Sequence, residues 1–289
     1  MKTAIIIDST AYVREEILNS PDVYELQFTS TFKDGTNYTD NSDAESLAKF
    51  YRKLEGASTL PKTSQPSLGE YIELVEEIIE KDYDQLLCIH LSAGLSGAYQ
   101  TAQMIAEDYK RAIQIQVIDS KGASVVIEAL IIQALEMLEK NLSFEAICEQ
   151  LIWVANHSMI YLTVSDLDNL VKGGRLNRGA AKIGELLNIQ PLLCIGQDGR
   201  IQLIERIRTD KRMNRRLAQI AKKSMADYPN GVMLGFAHAM NEQRLKSVIG
   251  IVTKDQPDQS YLKGALGPVI GTHTGSGAIG MGVIPIASY

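Results

Sequence analysis

Short apolar runs at residues 2–7, 85–91 and 113–118 are separated by segments of helical period at 68–81 and 97–111. Runs of that length bounded by turn signals suit strands buried on both faces, and strands alternating with helices imply a largely parallel sheet covered on each side. Ser67-Leu68-Gly69-Glu70 fits a capping box, which fixes the start of the first helix. Further helical stretches at 124–140 and 144–157 end this half.

From residue 159 the pattern changes. Residues 159–164 read as a strand, 186–195 and 200–208 as a hairpin turning at Gln197-Asp198-Gly199, and 231–237 and 283–286 as further strands. Helices at 211–227 and 242–254 interleave with them. The expected fold is therefore α/β in two domains. Residues 1–157 form an N-terminal domain with a largely parallel sheet flanked by helices, and 158–289 form a mixed α/β domain. There is no internal repeat, and the one compositional shift is the glycine-rich stretch 264–282.

Of the 289 residues, 45% are hydrophobic and 22% charged, the profile of a globular protein with well-buried cores. The net charge of −6 argues against nucleic acid as a partner. The apolar start is too short for a signal peptide and no apolar run reaches membrane-spanning length, so a cytoplasmic location is expected. Cys88, Cys148 and Cys194 lie far apart in apolar settings, which points to core residues rather than disulfides or a metal site.

In open parallel sheets ligands bind beyond the carboxyl ends of the strands. Asp8-Ser9-Thr10, Ser92 with Ser96, and Asp119-Ser120-Lys121 all follow strands and should share one rim. Thr63-Ser64-Gln65-Pro66-Ser67 reads as a loop that adds hydroxyls and the amides of a helix start. Such a rim, rich in neutral donors, suits one small anionic group. Ser96 and Gly97 sit where a strand turns into a helix, and three roles fit Ser96: helix cap, anion anchor, or nucleophile. Gly94-Leu95-Ser96-Gly97-Ala98 misses the nucleophile-elbow pattern only at Ala98. A serine hydrolase using Ser96 with His273, oriented by Asp8 or Asp119, is the alternative function.

Gly271-Thr272-His273-Thr274-Gly275 has phosphate-loop glycines but no following Lys-Ser or Lys-Thr. It reads as a close-approach loop presenting Thr272, His273 and Thr274 to a ligand. His90, inside a strand, and His157, at a helix end, read as structural, and His238 is left open. Arg175, beside Gly173 and Gly174, can point into a site. Residues 205–216 carry six basic and two acidic residues and read mainly as a solvated face.

Taken in order, Asp8-Ser9-Thr10, Thr63-Ser64-Gln65-Pro66-Ser67, Ser92-Ala93-Gly94-Leu95-Ser96-Gly97, Gly173-Gly174-Arg175 and Gly271-Thr272-His273-Thr274-Gly275 resemble the DegV family of bacterial fatty-acid-binding proteins over nearly the whole chain. The resemblance implies a non-catalytic protein with one long-chain fatty acid between its two domains and no cofactor or metal. Thr63 and Ser96 would hold the carboxylate, with His273 in the same network and Arg175 close to the head group. Ser64, Gly97, Thr272 and Thr274 would complete the site. It further implies that a separate fatty acid kinase subunit phosphorylates the carboxylate, with Arg206 or Arg208 near its docking position. An acyl-phosphate acyltransferase then feeds phospholipid synthesis, and lipid exchange brings peripheral membrane contact. The chain departs from the family pattern at Ala98, commonly threonine, and Ser276, commonly proline.

Overall fold

The computed structural model describes residues 1–165, 167–177, 189–255 and 259–289. Along the first half run strands β1 (Thr3–Asp8), β2 (Val23–Leu26), β3 (Thr29–Thr31), β4 (Asn37–Thr39), β5 (Lys62–Ser64), β6 (Gln85–His90) and β7 (Gln114–Asp119). The second half adds β8 (Met159–Thr163), β9 (Gln190–Ile195), β10 (Ile201–Ile207), β11 (Val232–His238), β12 (Tyr261–Ala265) and β13 (Ile279–Pro285). One sheet has order β2-β1-β6-β7 and is parallel throughout. The second has order β10-β9-β8-β13-β11-β12, antiparallel except for the β11–β12 pair. β13, the last strand of the chain, thus lies in the middle of its sheet. A small antiparallel sheet, β4-β3-β5, sits apart from both. The chain is α/β, with a parallel four-stranded sheet and a separate mixed sheet.

What joins the sheets is the helix Val125–Glu139, whose sequence Val-Val-Ile-Glu-Ala-Leu-Ile-Ile-Gln-Ala is apolar on nearly every side. A helix without a polar face must be covered all round. It packs on β6 with one side and on β11, β12 and β13 with the other. The largest hydrophobic cluster accordingly runs from Ile5, Leu87 and Ile89 through this helix to Leu162, Leu193 and Ile284. The buried amide of Gln133 donates to Pro285 O at 3.2 Å and accepts from Ala287 N at 2.7 Å, so the helix also fixes the chain end after β13. The outer faces are covered by Leu68–Glu80 and Ala98–Tyr109 on the first sheet and by Asp210–Asp227 and Glu242–Val252 on the second.

The alternating strands and helices of the first half stand within a residue or two of their expected limits. The capping box is present, with Glu70 N donating to Ser67 Oγ at 3.2 Å and Ser67 N to Glu70 Oε2 at 2.7 Å. The β9–β10 hairpin turns where expected, at Gly199 with φ +72°. Residues 186–188 of its expected first strand, and Arg178 in the basic turn, lie outside the described residues. Two loops were misread. Thr63 and Ser64 belong to β5. Within the glycine-rich stretch, Pro268–Thr274 is a helix, begun by proline in its first turn, where the missing N–H costs nothing.

That helix is held at its start by a buried carboxylate. Asp40 Oδ1 accepts from Val269 N at 2.8 Å and from the Tyr12 hydroxyl at 3.0 Å, while its Oδ2 accepts from Ser9 Oγ at 3.3 Å. Burial pushes the Asp40 carboxyl up to about 7, with the nearby charge of Asp8 in the same direction and these hydrogen bonds opposing. Between the ordinary carboxylate range and that value the folded chain binds more protons than the unfolded one, so stability falls as pH rises through this window. Asp40→Asn keeps an acceptor for Val269 and removes the titration. Thermal melts from pH 5 to 8 should show the wild type losing stability relative to Asp40→Asn, on the order of 1 kcal/mol per pH unit at most. Parallel curves for the two proteins would contradict this account.

Candidate functional site

Between the carboxyl ends of the parallel strands and the inner face of the mixed sheet lies a cavity of about 410 Å³. That is within the range of small-molecule sites. Its floor comes from the mixed sheet: Ile160 and Leu162 on β8, Ile195 on β9, Ile201 on β10, Ala237 on β11, and Gly280 and Gly282 on β13. Val125, Val269 and Ile270 close it from the helices. At one end the lining turns polar, with Thr63, Ser64 and Gln65 from β5 and beyond, Ser96 and Gly97, Arg175, His273 and Thr274. An apolar chamber with one polar end fits an amphiphile with a single head group.

The polar end is ordered by a few hydrogen bonds. Ser96 Oγ accepts from Ala98 N at 3.2 Å, so it caps the helix start through a lone pair and keeps its O–H to donate. Thr63 Oγ1 lies 3.1 Å from His273 Nε2. Burial, reinforced by the charge of Arg175, pushes the His273 imidazole down to about 3, which leaves it neutral at ordinary pH. Among the described residues His273 Nδ1 has no hydrogen-bond partner; it is buried and packed against Gly173, where an added Cβ would overlap it. A donor there would be unsatisfied, so we assign the proton to Nε2. Nε2 then donates to Thr63 Oγ1, whose own O–H is left to point at a ligand. Arg175 donates from Nε to Leu95 O at 3.1 Å and from a terminal nitrogen to Gly173 O at 2.7 Å. It braces the Ser92–Gly97 segment against the Gly173 turn, and desolvation lowers its pKa.

The rim expected beyond β1, β6 and β7 is present, but most of it is internal. Asp8 Oδ2 accepts from Leu91 N at 2.8 Å, and Asp119 Oδ1 from Ala93 N at 3.1 Å. Ser92 Oγ donates to Gly199 O at 2.7 Å, tying the rim to the β9–β10 turn. None of Asp8, Ser9, Thr10, Ser92, Asp119 or Ser120 lines the cavity. Thr272 also stands away from it. Its hydroxyl is buried, donating to Pro268 O at 2.8 Å beside Ser30 Oγ at 2.8 Å, because helical geometry turns it to the face opposite His273. Thr274 lines the cavity while its hydroxyl donates to Ile270 O at 3.1 Å. Two polar lining residues were not singled out. Gln65 sat within the misread loop, and Ser124, at φ 53°, follows no pattern that marks it.

His90 is buried between Tyr71, at 2.9 Å, and Asp8, at 3.4 Å; His157 stacks on Trp153; and His238 Nδ1 accepts from Asn241 N at 3.1 Å. The basic stretch lines an open groove with Arg206, Arg208, Arg212 and Arg215, beside the Arg216–Glu205 ion pair. Among the described residues no three acidic, histidine or cysteine side chains are placed to hold a metal ion, and no helix is long and apolar enough to cross a membrane.

His273 should remain a single neutral tautomer, protonated at Nε2, from pH 5 to 8; ring nitrogen NMR shifts that move with pH in this range would contradict the assignment. Gly173→Ala should push the ring off Thr63, change those shifts and cost about 1–3 kcal/mol of stability.

A family model described as an uncharacterised protein of the DegV family matches residues 2–286. A DegV domain-containing protein of Streptococcus pneumoniae is 33% identical over 288 residues, covering 99% of this chain and 100% of the relative. Among solved structures, a fatty acid binding DegV family protein from Streptococcus agalactiae superposes with a TM-score of 0.89 at 32% identity, covering 99% of each chain. A stearic acid-binding protein from Eubacterium ventriosum does so with 0.82 at 29% identity, covering 99% of this chain and 98% of that one. With a family match over nearly its full length and relatives this similar end to end, the chain belongs to the DegV family.

Proposed function

We propose that this protein binds one long-chain fatty acid in the cavity and presents the carboxylate to a separate kinase. The observation that carries the reading is the cavity itself, apolar over its length and polar at the end where Thr63, Ser96, Arg175 and His273 meet. A buried methylene contributes about 0.8 kcal/mol, so the tail supplies most of the affinity. The carboxylate would be costly to bury unpaired, and the hydroxyls of Thr63 and Ser96 with the amides near Gly97 satisfy it. Two similar solved proteins, from Streptococcus agalactiae and Eubacterium ventriosum, are described as fatty acid binding and stearic acid-binding.

The way the head group would be held supports the kinase step. Thr63, Ser96 and Arg175 are only partly buried and Gly97 is exposed, so a phosphoryl donor can approach from solvent. Neutral hydroxyls leave one carboxylate oxygen able to attack. That oxygen forms the new P–O bond, the bond to the nucleoside diphosphate breaks, and an acyl phosphate results. The arginine groove at Arg206, Arg208, Arg212 and Arg215 offers a basic docking surface for the kinase. An acyltransferase feeding phospholipid synthesis is the fitting consumer of that product. The hydrolase alternative finds no support. His273 Nε2 faces Thr63 rather than Ser96, no carboxylate among the described residues orients Nδ1, and an imidazole at about 3 is a poor general base.

Native mass spectrometry of freshly purified protein should show a stoichiometric adduct that extracts as a free fatty acid. A ligand-free protein that also ignores added fatty acids would remove the reading. Thr63→Ala and Ser96→Ala should weaken fatty-acid binding by up to about tenfold and acyl-phosphate formation by about a hundredfold. Equal losses would contradict the division between tail and head. A fluorophosphonate probe should leave Ser96 unlabelled.

A further inference from the structure

The mixed sheet turns a run of small residues toward the cavity. Gly235 pairs with Gly282 and Ala237 with Gly280 across β11 and β13, and Gly280 pairs with Leu162 of β8. These glycines do different things. An added Cβ on Gly235 would lie 2.5 Å from Val125 Cβ, and one on Gly282 would lie 2.9 Å from Val125 Cγ2, so both make room for the helix. Among the described residues, an added Cβ on Gly280 meets no atom within 4 Å, although the residue is paired with a strand on each side, faces the same side and lines the cavity.

Resting on the fatty-acid reading above, we propose that Gly280 determines which acyl chains the protein accepts: the vacant volume over its Cα holds part of the tail, and side-chain size at 280 sets the chain length that fits. The glycine is there for the ligand's benefit, since neither backbone conformation nor a neighbouring protein atom requires it. A strand interior ordinarily favours a β-branched residue, and glycine there weakens packing. The protein therefore gives up local stability to keep this space open.

The test uses delipidated full-length protein and the binding of decanoate, palmitate and stearate by calorimetry, with thermal melts of each variant. Gly280→Val should melt no lower than wild type, bind decanoate within about threefold of it, and lose palmitate and stearate on the order of fifty-fold, since each excluded methylene forfeits a factor of about four. Gly280→Ala should fall between, and it carries the test if the valine variant folds poorly. Gly264→Val, also open but on the edge strand β12 and outside the cavity lining, should bind all three acids as wild type does. Stearate bound by Gly280→Val as tightly as by wild type, or a loss equal at every chain length, would overturn the role of Gly280 while leaving fatty-acid binding intact. A wild type that takes up none of the three overturns the fatty-acid reading and this proposal with it.

Discussion

A helix with no polar face has to be surrounded, and Val125–Glu139 is surrounded by two different sheets. Most of the architecture follows from that requirement. The parallel sheet covers one side and the mixed sheet the other, and the largest hydrophobic cluster runs through both. The helix does not fill the whole gap between them. Its N-terminal end, with Ala123, Ser124 and Val125, stops at the cavity wall, and small residues on β11 and β13 set how closely it approaches the mixed sheet. The chamber is what remains beside a well-packed helix end. Its position at the carboxyl ends of the parallel strands brings the segment after β6, with Ser96, to its mouth.

At the polar end of the chamber, among the described lining residues, the cation Arg175 is partly committed to the backbone and the histidine is uncharged. Arg175 spends two donors on backbone carbonyls, and its charge helps keep His273 neutral. A neutral imidazole donating to Thr63 orients the threonine hydroxyl without adding a second positive charge. On the function proposed above, a carboxylate held this way would be positioned mainly by hydroxyls and amides, and its oxygens would keep more of their nucleophilic character than in a tight guanidinium fork.

Much of this was legible in the sequence where the signal was local and long. The apolar runs at β1, β6 and β7, the capped helix at Leu68–Glu80 and the hairpin at Gly199 each rest on several adjacent residues that agree. The strands β2 to β5 were not legible, because three or four residues carry too little periodicity to stand out. The helix Ala44–Glu55 between β4 and β5, capped by Asp43 and burying Leu47, Phe50, Tyr51 and Leu54, had a readable period and was missed. Pro268–Thr274 was misread because its glycines suggest a loop, whereas Gly271 is there to admit the Tyr51 ring. Of the residues that line the polar end, Ser96, Arg175 and His273 stood out in the sequence as polar residues beside glycines or a strand end, and Thr63 as a hydroxyl in what read as a loop before a capped helix. That Thr272 turns away while its neighbours line the cavity depends on helix phase, and a loop reading has no phase. The open space at Gly280 is a property of the assembled sheet, invisible in a stretch where every second or third residue is glycine.

The central place of β13 has a consequence for the order of assembly. β8 is made early in the second half of the chain, yet both it and β11 wait for the last strand to fill the gap between them. Until β13 has been synthesised, two strand edges stand open and the mixed sheet that covers Val125–Glu139 is incomplete. The braces around the cavity span 80 positions from Arg175 to Leu95, 107 from Ser92 to Gly199 and 210 from Thr63 to His273. Contacts so distant in sequence form late and slowly. The pocket therefore cannot form before β13 has been made, and a nascent chain stalled before β13 presents unpaired edges of the kind that chaperones shield.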